Sequence, residues 1–430
     1  MSFLQDMFRA LKHDNYRYFF LGQVATLIGM WMQSIALSWL IYRLTGSSTQ
    51  LGLVNFCNQL PVLLLVSLGG IVADRYDRRR IVIRTQATCM FLSALLAFLT
   101  LSDLIQVWHL YCVAIAYGLT QAFDMPARQA LVVELVGKED LPNAIILNSS
   151  MINGARLIGP AVAGFVIEYV GEGWCFAINS ASYIGVLSGL FAMKLASHLY
   201  DQDSAPLQHY KEGLHFVFGN FPVLAILFML GSISLLAAPQ VVLMPAVVKD
   251  VLHGDANTMG YLMTMSGVGA FVGALALALK KKAAGMENII AGCMLACGVT
   301  FIIFGHSKTI WFSMLLMAPI GLSIMGQMAT SNTLIQTLVP DHLRGQIMSF
   351  HAMMFMGGAP VGALLSGWAA EQIGIPLTFT IAGCLMLAIG LAFCFQLRRF
   401  KVLSARLLTR TERINALQLC CKAQLENPNL

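Results

Sequence analysis

The chain has 430 residues, of which 57% are hydrophobic and only 11% charged, and its mean hydropathy is +0.72. Soluble domains carry roughly 25% charged residues, so lipid rather than water must solvate most of this chain. The net charge of +6 does not imply a nucleic-acid partner, because the basic residues fall in gaps between apolar runs and not on one soluble face.

In chain order, twelve apolar runs are each long enough to cross a bilayer: 17–40, 51–73, 81–102, 106–127, 143–169, 174–195, 221–246, 259–279, 286–305, 309–330, 345–370 and 376–396. A helix needs about 20 residues to cross ~30 Å of hydrocarbon. The first run is too long for a signal-peptide core and lacks a small-residue cleavage pattern, so it reads as a retained span. The expected fold is all-α and membrane-integral. It comprises an N-terminal segment (1–16), a six-helix bundle (17–195), a polar linker (196–220), a second six-helix bundle (221–396) and a tail (397–430). Within the linker, Tyr210-Lys211-Glu212-Gly213-Leu214-His215-Phe216 is mildly amphipathic. It fits a helix lying on the membrane surface and fits a plain tether equally well.

The gaps alternate in charge. One side collects 23 of the 27 Lys and Arg residues, among them Arg9, Arg75, Arg78, Lys194, Lys280-Lys281-Lys282 and the tail from Arg398. The other side has three, Arg43, Lys249 and Lys308, and Arg156 lies within a span. The positive-inside rule makes the rich side cytoplasmic, with both termini inside, as in a bacterial-type inner membrane. Eight of the ten cysteines lie in or beside apolar runs, where they act as small hydrophobes, and no C-x-x-C occurs. No disulfide framework, metal site or cofactor is expected. The absence of a nucleophile with a paired base, and of a phosphate loop, argues against an enzyme.

An internal repeat relates the two halves. Glu168-Tyr169-Val170-Gly171 after span 5 echoes Glu371-Gln372-Ile373-Gly374 after span 11, and Gly159-Pro160 echoes Ala359-Pro360. Between spans 2 and 3 lies a short basic turn, Gly69-Gly70-Ile71-Val72-Ala73-Asp74-Arg75-Tyr76-Asp77-Arg78-Arg79-Arg80. Gly70 is expected to let one helix end pass close to another backbone. Asp74, Arg75, Arg78 and Arg79 then form a charge cluster at the lipid headgroups.

Ionisable groups inside a bilayer cost from ~3 to more than ~10 kcal/mol, so each is a functional candidate. Arg156 lies 13 residues past Asn143, about 20 Å along a helix and near the membrane middle. It reads as a counter-charge for an anionic substrate or a coupling carboxylate, or else as half of a structural ion pair. Asp124, near the end of span 4, fits a proton carrier or a helix-end partner of Arg128. His351, early in span 11, fits a proton switch or a packed histidine. Amides recur within the spans, including Gln23, Gln33, Gln240 and Gln327. For Asn55, Asn58, Asn148, Asn153 and Asn179, in spans 2, 5 and 6, interhelical hydrogen bonding is the better reading.

The spacing G-x-x-x-D-R-x-x-R-R of the basic turn resembles the signature loop of the major facilitator superfamily. Span 5, with Gly154, Gly159, Pro160 and Gly164, resembles the Gly-Pro motif that antiporters of this superfamily carry on their fifth helix. Here Ala163-Gly164 stands for the usual glycine pair. The run from Pro126-Ala127-Arg128 through Leu141-Pro142-Asn143 and Ala155–Pro160 to Asn179 is similar to the subfamily of the enterobactin exporter and macrolide-efflux proteins. The resemblance covers roughly residues 10–397.

It implies two pseudo-symmetric six-helix halves around a midplane site, with helices 1, 4, 7 and 10 lining the cavity. Gln23, Gln33, Gln240 and Gln327 would then reach the substrate. Gly154, Gly159, Pro160 and Gly164 would form a hinge or seal facing span 11, which carries Pro360. The implied function is proton-coupled export of a siderophore-like or amphipathic small molecule by a monomeric transporter. Lipid flipping and import within the same fold are the alternatives. Many drug exporters place an acid in helix 1. Span 1 here has none, which shifts proton transfer toward Asp124 and His351.

Overall fold

The computed structural model describes residues 9–193, 206–279 and 285–426. Lys194, the triple-lysine turn at 280–282, the first part of the linker and the last four residues of the tail lie outside the described residues. Among those described, secondary structure is helical throughout.

The first half comprises α1 (Asp14–Thr45), α2 (Ser48–Arg75), α3 (Arg78–Leu101), α4 (107–136), α5 (Glu139–Val170) and α6 (Glu172–Ala192). The second comprises α7 (Phe221–Val242), α8 (Ala256–Ala278), α9 (Met286–Gly305), α10 (Ile310–Leu338), α11 (Asp341–Ile373) and α12 (Ile375–Glu426). Eleven of these are long and apolar enough to cross a membrane. Helix α4 is the more polar twelfth, carrying Tyr111, Tyr117, Gln121 and Asp124. A linker helix over Pro206–Gly219 joins the halves.

Local chemistry sets the boundaries. Gly46, left-handed at φ 61°, closes α1, and Ser47 caps α2 by accepting from the Gln50 N–H. Asp77 caps α3 through the Arg80 N–H, and Asp255 with Thr258 forms a capping box on α8. Gly137 (φ 71°, ψ 176°) separates α4 from α5. Two expected boundaries move. Helix α7 is regular only to Leu236 and continues in short turns through Val251, because Pro239 and Pro245 donate no backbone hydrogen bond. Helix α12 runs far past 396, because no glycine or proline interrupts the chain between Gly390 and Pro428.

The halves meet at two helix crossings, α2 on α11 and α5 on α8. A Cβ on Gly52 would sit 3.2 Å from the Gly367 Cα, and one on Gly367 would sit 2.5 Å from the Ser48 carbonyl oxygen. At the other crossing, a Cβ on Gly164 would lie 3.1 Å from the Gly260 Cα, and one on Gly260 would lie 2.7 Å from the Pro160 oxygen. Only glycine permits this approach. Gly164 and Gly367 are 203 residues apart, as are Gly171 and Gly374, which share an unusual conformation (φ 93°, ψ 165° and φ 86°, ψ 156°). This spacing matches Pro160 with Ala363, so the expected pairing of Pro160 with Pro360 is out by three residues, close to one helical turn. Helix α5 seals against α8 and not, as expected, against span 11. Helix α11 packs on α2 instead.

Both crossings lie at the end remote from the basic turn. There, Ser47 Oγ and the Thr49 N–H donate to Glu371 Oε2 at 2.6 and 2.9 Å, and the Tyr42 hydroxyl bonds Asp250. The two glycine crossings and these bonds thus close the molecule at the remote end.

Candidate functional site

Arg156 is where the two halves enclose a space. Pro160, one turn on, has no N–H to give the Arg156 carbonyl. That oxygen faces Gly267 of α8, where an added Cβ would come within 3.1 Å. The Leu157 carbonyl accepts from Thr264 Oγ1 of α8 at 3.4 Å. The turn of α5 that carries the guanidinium thus lies directly against α8.

The side chain lines a cavity of about 240 Å³ bounded by α1, α2, α5, α7, α8, α10 and α11. Its guanidinium carbon lies 5.4 Å from the centre of the Trp31 ring. Asn55 and Gln59 of α2, Gln240 of α7 and Ser266 of α8 add polar groups, and Gln240 Nε2 donates to Ser266 Oγ at 2.8 Å. The lining contains no carboxylate, and among the described residues none pairs with Arg156. A cation–π contact contributes about 0.5–2 kcal/mol. That falls short of the ~3 kcal/mol or more that a charge costs at this depth. Trp31 alone does not balance Arg156; water or an anion must.

Of the four glutamines, Gln240 lines this cavity and Gln33 lines a second one, of about 290 Å³, among α1, α2, α3 and α4. Gln23 and Gln327 line neither. Gln327 Nε2 is spent on the Met229 carbonyl at 2.8 Å, tying α10 to α7, and Gln23 is buried on the packed side of α1. Asn179 acts between helices as expected, donating to Gln33 Oε1 at 2.7 Å and Ser93 Oγ at 3.1 Å. Asn58 also acts between helices, donating to the Ala114 carbonyl of α4 at 3.3 Å, whereas Asn55 bonds only within α2; both line the cavity side of that helix. Trp31 was missed altogether. The available signal was one indole in the middle of span 1, and it does not say which way the ring points.

The remaining candidates lie apart from the cavity. Asp124 is buried between α3 and α4, accepting from Thr85 Oγ1 (2.7 Å) and Gln86 Nε2 (2.9 Å) and pairing with Arg128 (3.2 Å). His351 is buried in α11, with no partner for Nε2 among the described residues. In the basic turn, Arg78 reaches Glu134 at 2.7 Å and Asp74 at 3.7 Å, while Arg79 donates to the Leu190 and Phe191 carbonyls that end α6. Asp74 and Arg75 are exposed. Gly70 makes no close approach, since a Cβ there would meet open space; Gly69 is the tight glycine, against Ala122 and Phe123 of α4. Gly154 likewise meets nothing, and Gly159 packs on Trp31 of α1. Around Pro360, Gly358 and Gly362 press on Leu235 of α7.

The chain is 28% identical over 396 residues to the staphyloferrin A transporter of Staphylococcus aureus (strain NCTC 8325 / PS 47), covering 90% of this chain and 97% of that protein. It is 23% identical over 407 residues to the enterobactin exporter of Escherichia coli O81 (strain ED1a), covering 93% and 96%. Among solved structures, a bacterial homolog of the human lysosomal transporter Spinster, inward-facing and unoccupied, matches with a TM-score of 0.67 at 12% identity, over 93% of this chain and 98% of that one. A model of the family described as transmembrane secretion effector matches residues 6–418, and the chain belongs to this family of major facilitator transporters, which are multi-pass membrane carriers and not enzymes.

Proposed function

We propose that the protein exports an anionic, siderophore-like small molecule across a bacterial inner membrane by alternating access. The observation that carries this reading is Arg156, the one charged side chain of the inter-half cavity, with no carboxylate answering it. The likeness to carriers named for staphyloferrin A and enterobactin supports the substrate class. The charge bias supports placing both termini and the basic turn in the cytoplasm, with the closed end facing outward, so that cargo for export would enter from the cytoplasm.

Export needs a driving ion, and the proton is the natural one. Asp124 already has three partners, whereas His351 has a ring nitrogen without one and shares a helix face, at four-residue steps, with the cavity residues Phe355 and Ala359. This favours His351 as the carrier.

The test uses inverted membrane vesicles with an acidic interior and a panel of staphyloferrin A, enterobactin, a macrolide and a lysophospholipid. Proton efflux on adding one of the first two supports siderophore export. In the same assay Arg156→Ala abolishes transport with the protein still in the membrane; full retained transport removes Arg156 from the site. A second reading, lipid flipping, draws on an apolar groove of about 520 Å³ between Leu63 of α2 and helices α7, α11 and α12. Lysophospholipid movement without a pH gradient would favour it.

A further inference from the structure

The cavity beside Arg156 does not end at Trp31. Trp31 and Asn55 also line the 290 Å³ cavity inside the first half, so two compartments share one wall. Small-molecule sites run to about 300–1,000 Å³. Neither compartment reaches that range alone, and together they do. A liquid water occupies about 30 Å³, so the inner compartment holds on the order of ten waters and is no packing defect.

The two linings differ in chemistry. The inner compartment has no charged residue; its polar groups are Gln33, Ser34, Ser38, Asn55, Asn58 and Tyr117. Asn55 Nδ2 donates to the Leu51 carbonyl at 3.1 Å and Asn58 Nδ2 to the Ala114 carbonyl at 3.3 Å. Each amide is thereby oriented with its oxygen left to accept. Gln33 is held by two donors on Oε1, Ser93 Oγ and Asn179 Nδ2, both at 2.7 Å. What faces the inner compartment is a mixed set among apolar walls: the Asn55 and Asn58 oxygens accept, while Gln33, its oxygen taken, has its Nε2 to donate, as the Ser34 hydroxyl can. A bound group must bring both donors and acceptors, such as hydroxyls or amides, on an otherwise apolar arm.

We propose that substrate binds across both compartments, its anionic head at Arg156 and a neutral, hydrogen-bonding arm in the inner compartment, with Trp31 as the dividing wall. The inference rests on the assignment of Arg156 to the site and adds the length and second half of the ligand. An elongated carboxylate with a hydroxyl- or amide-bearing arm fits; a compact anion fills only half of the site.

Binding to the purified full-length chain is measured with two probes, citrate as the short anion and the amide of citrate with tyramine as the long one. The long probe is expected to bind about tenfold more tightly, the equivalent of one or two net hydrogen bonds. Ser34→Leu and Asn58→Leu should cancel that advantage and leave citrate binding in place, whereas Arg156→Ala should lose both probes. Unchanged long-probe binding in both leucine variants overturns the two-compartment site and leaves the Arg156 reading standing. Unchanged binding in Arg156→Ala overturns the latter instead. As a readout independent of filling the pocket, Ser38→Cys should be shielded from a maleimide by the long probe and not by citrate. Equal labelling with both counts against the proposal.

Discussion

Asp124 is a carboxylate held 1% exposed by three partners from two helices. Breaking a buried ion pair from one side costs about 3–5 kcal/mol, and the partly exposed Arg128 places this site near the lower end. Asp124→Ala should therefore lower the thermal unfolding midpoint in detergent clearly more than Asp124→Asn, which keeps an acceptor for Thr85 and Gln86. Equal midpoints would mean that the node holds nothing together. Its Arg128 partner was legible four residues along the same helix. Thr85 and Gln86 were not, because a span's rotation about its own axis leaves no trace in a nearly uniform apolar run. The same blindness misassigned the glycine of the basic turn: the motif spacing points to Gly70, while the packing falls on Gly69, about 100° around the helix.

At the scale of elements, lengths and ends were readable, since Gly46, Asp77, Gly171 and Gly374 punctuate the chain through backbone rules. Which helix meets which was not. The repeat was visible in Glu168–Gly171 and Glu371–Gly374, but the two prolines suggested a false alignment. Proline marks where a helix bends, and glycine marks where helices touch; only the second fixes how the halves correspond. The α2–α11 crossing supplies a direct check, because Gly367 lies against the Ser48 backbone. Joining Ser47→Cys to Glu371→Cys, whose native side chains already meet there, with a short reducible thiol cross-linker should lock the remote end shut and stop transport, and reduction should restore it. Transport that persists in the cross-linked protein would show that this crossing never parts.

For the whole molecule, composition and charge bias announced a bundle of twelve membrane helices, yet no sequence pattern announced which end is shut. That depends on a few contacts between the halves: Tyr42 with Asp250, Ser47 and Thr49 with Glu371, and two glycine crossings. Losing one hydrogen bond costs about 0.5–1.5 kcal/mol, enough to change a two-state ratio by roughly two- to tenfold. Tyr42→Phe should shift the population by that amount toward opening at the remote end. The measurement is the rate at which a membrane-impermeant maleimide, added from that side, labels Ser266→Cys in the cavity. An unchanged rate would show that the Tyr42–Asp250 bond does not bias the equilibrium.

The carbonyl that Pro160 leaves without a donor has one more effect. While α5 and α8 are together, that oxygen faces the Gly267 backbone, and on the reading proposed above the guanidinium of the same residue would meet an anionic cargo unopposed. Should the helices separate, an electron-rich dipole would be bared beside the cation just as a route outward opens. The grip on a negative guest would weaken in step with the departure of the wall, so the carrier would let go without a separate trigger.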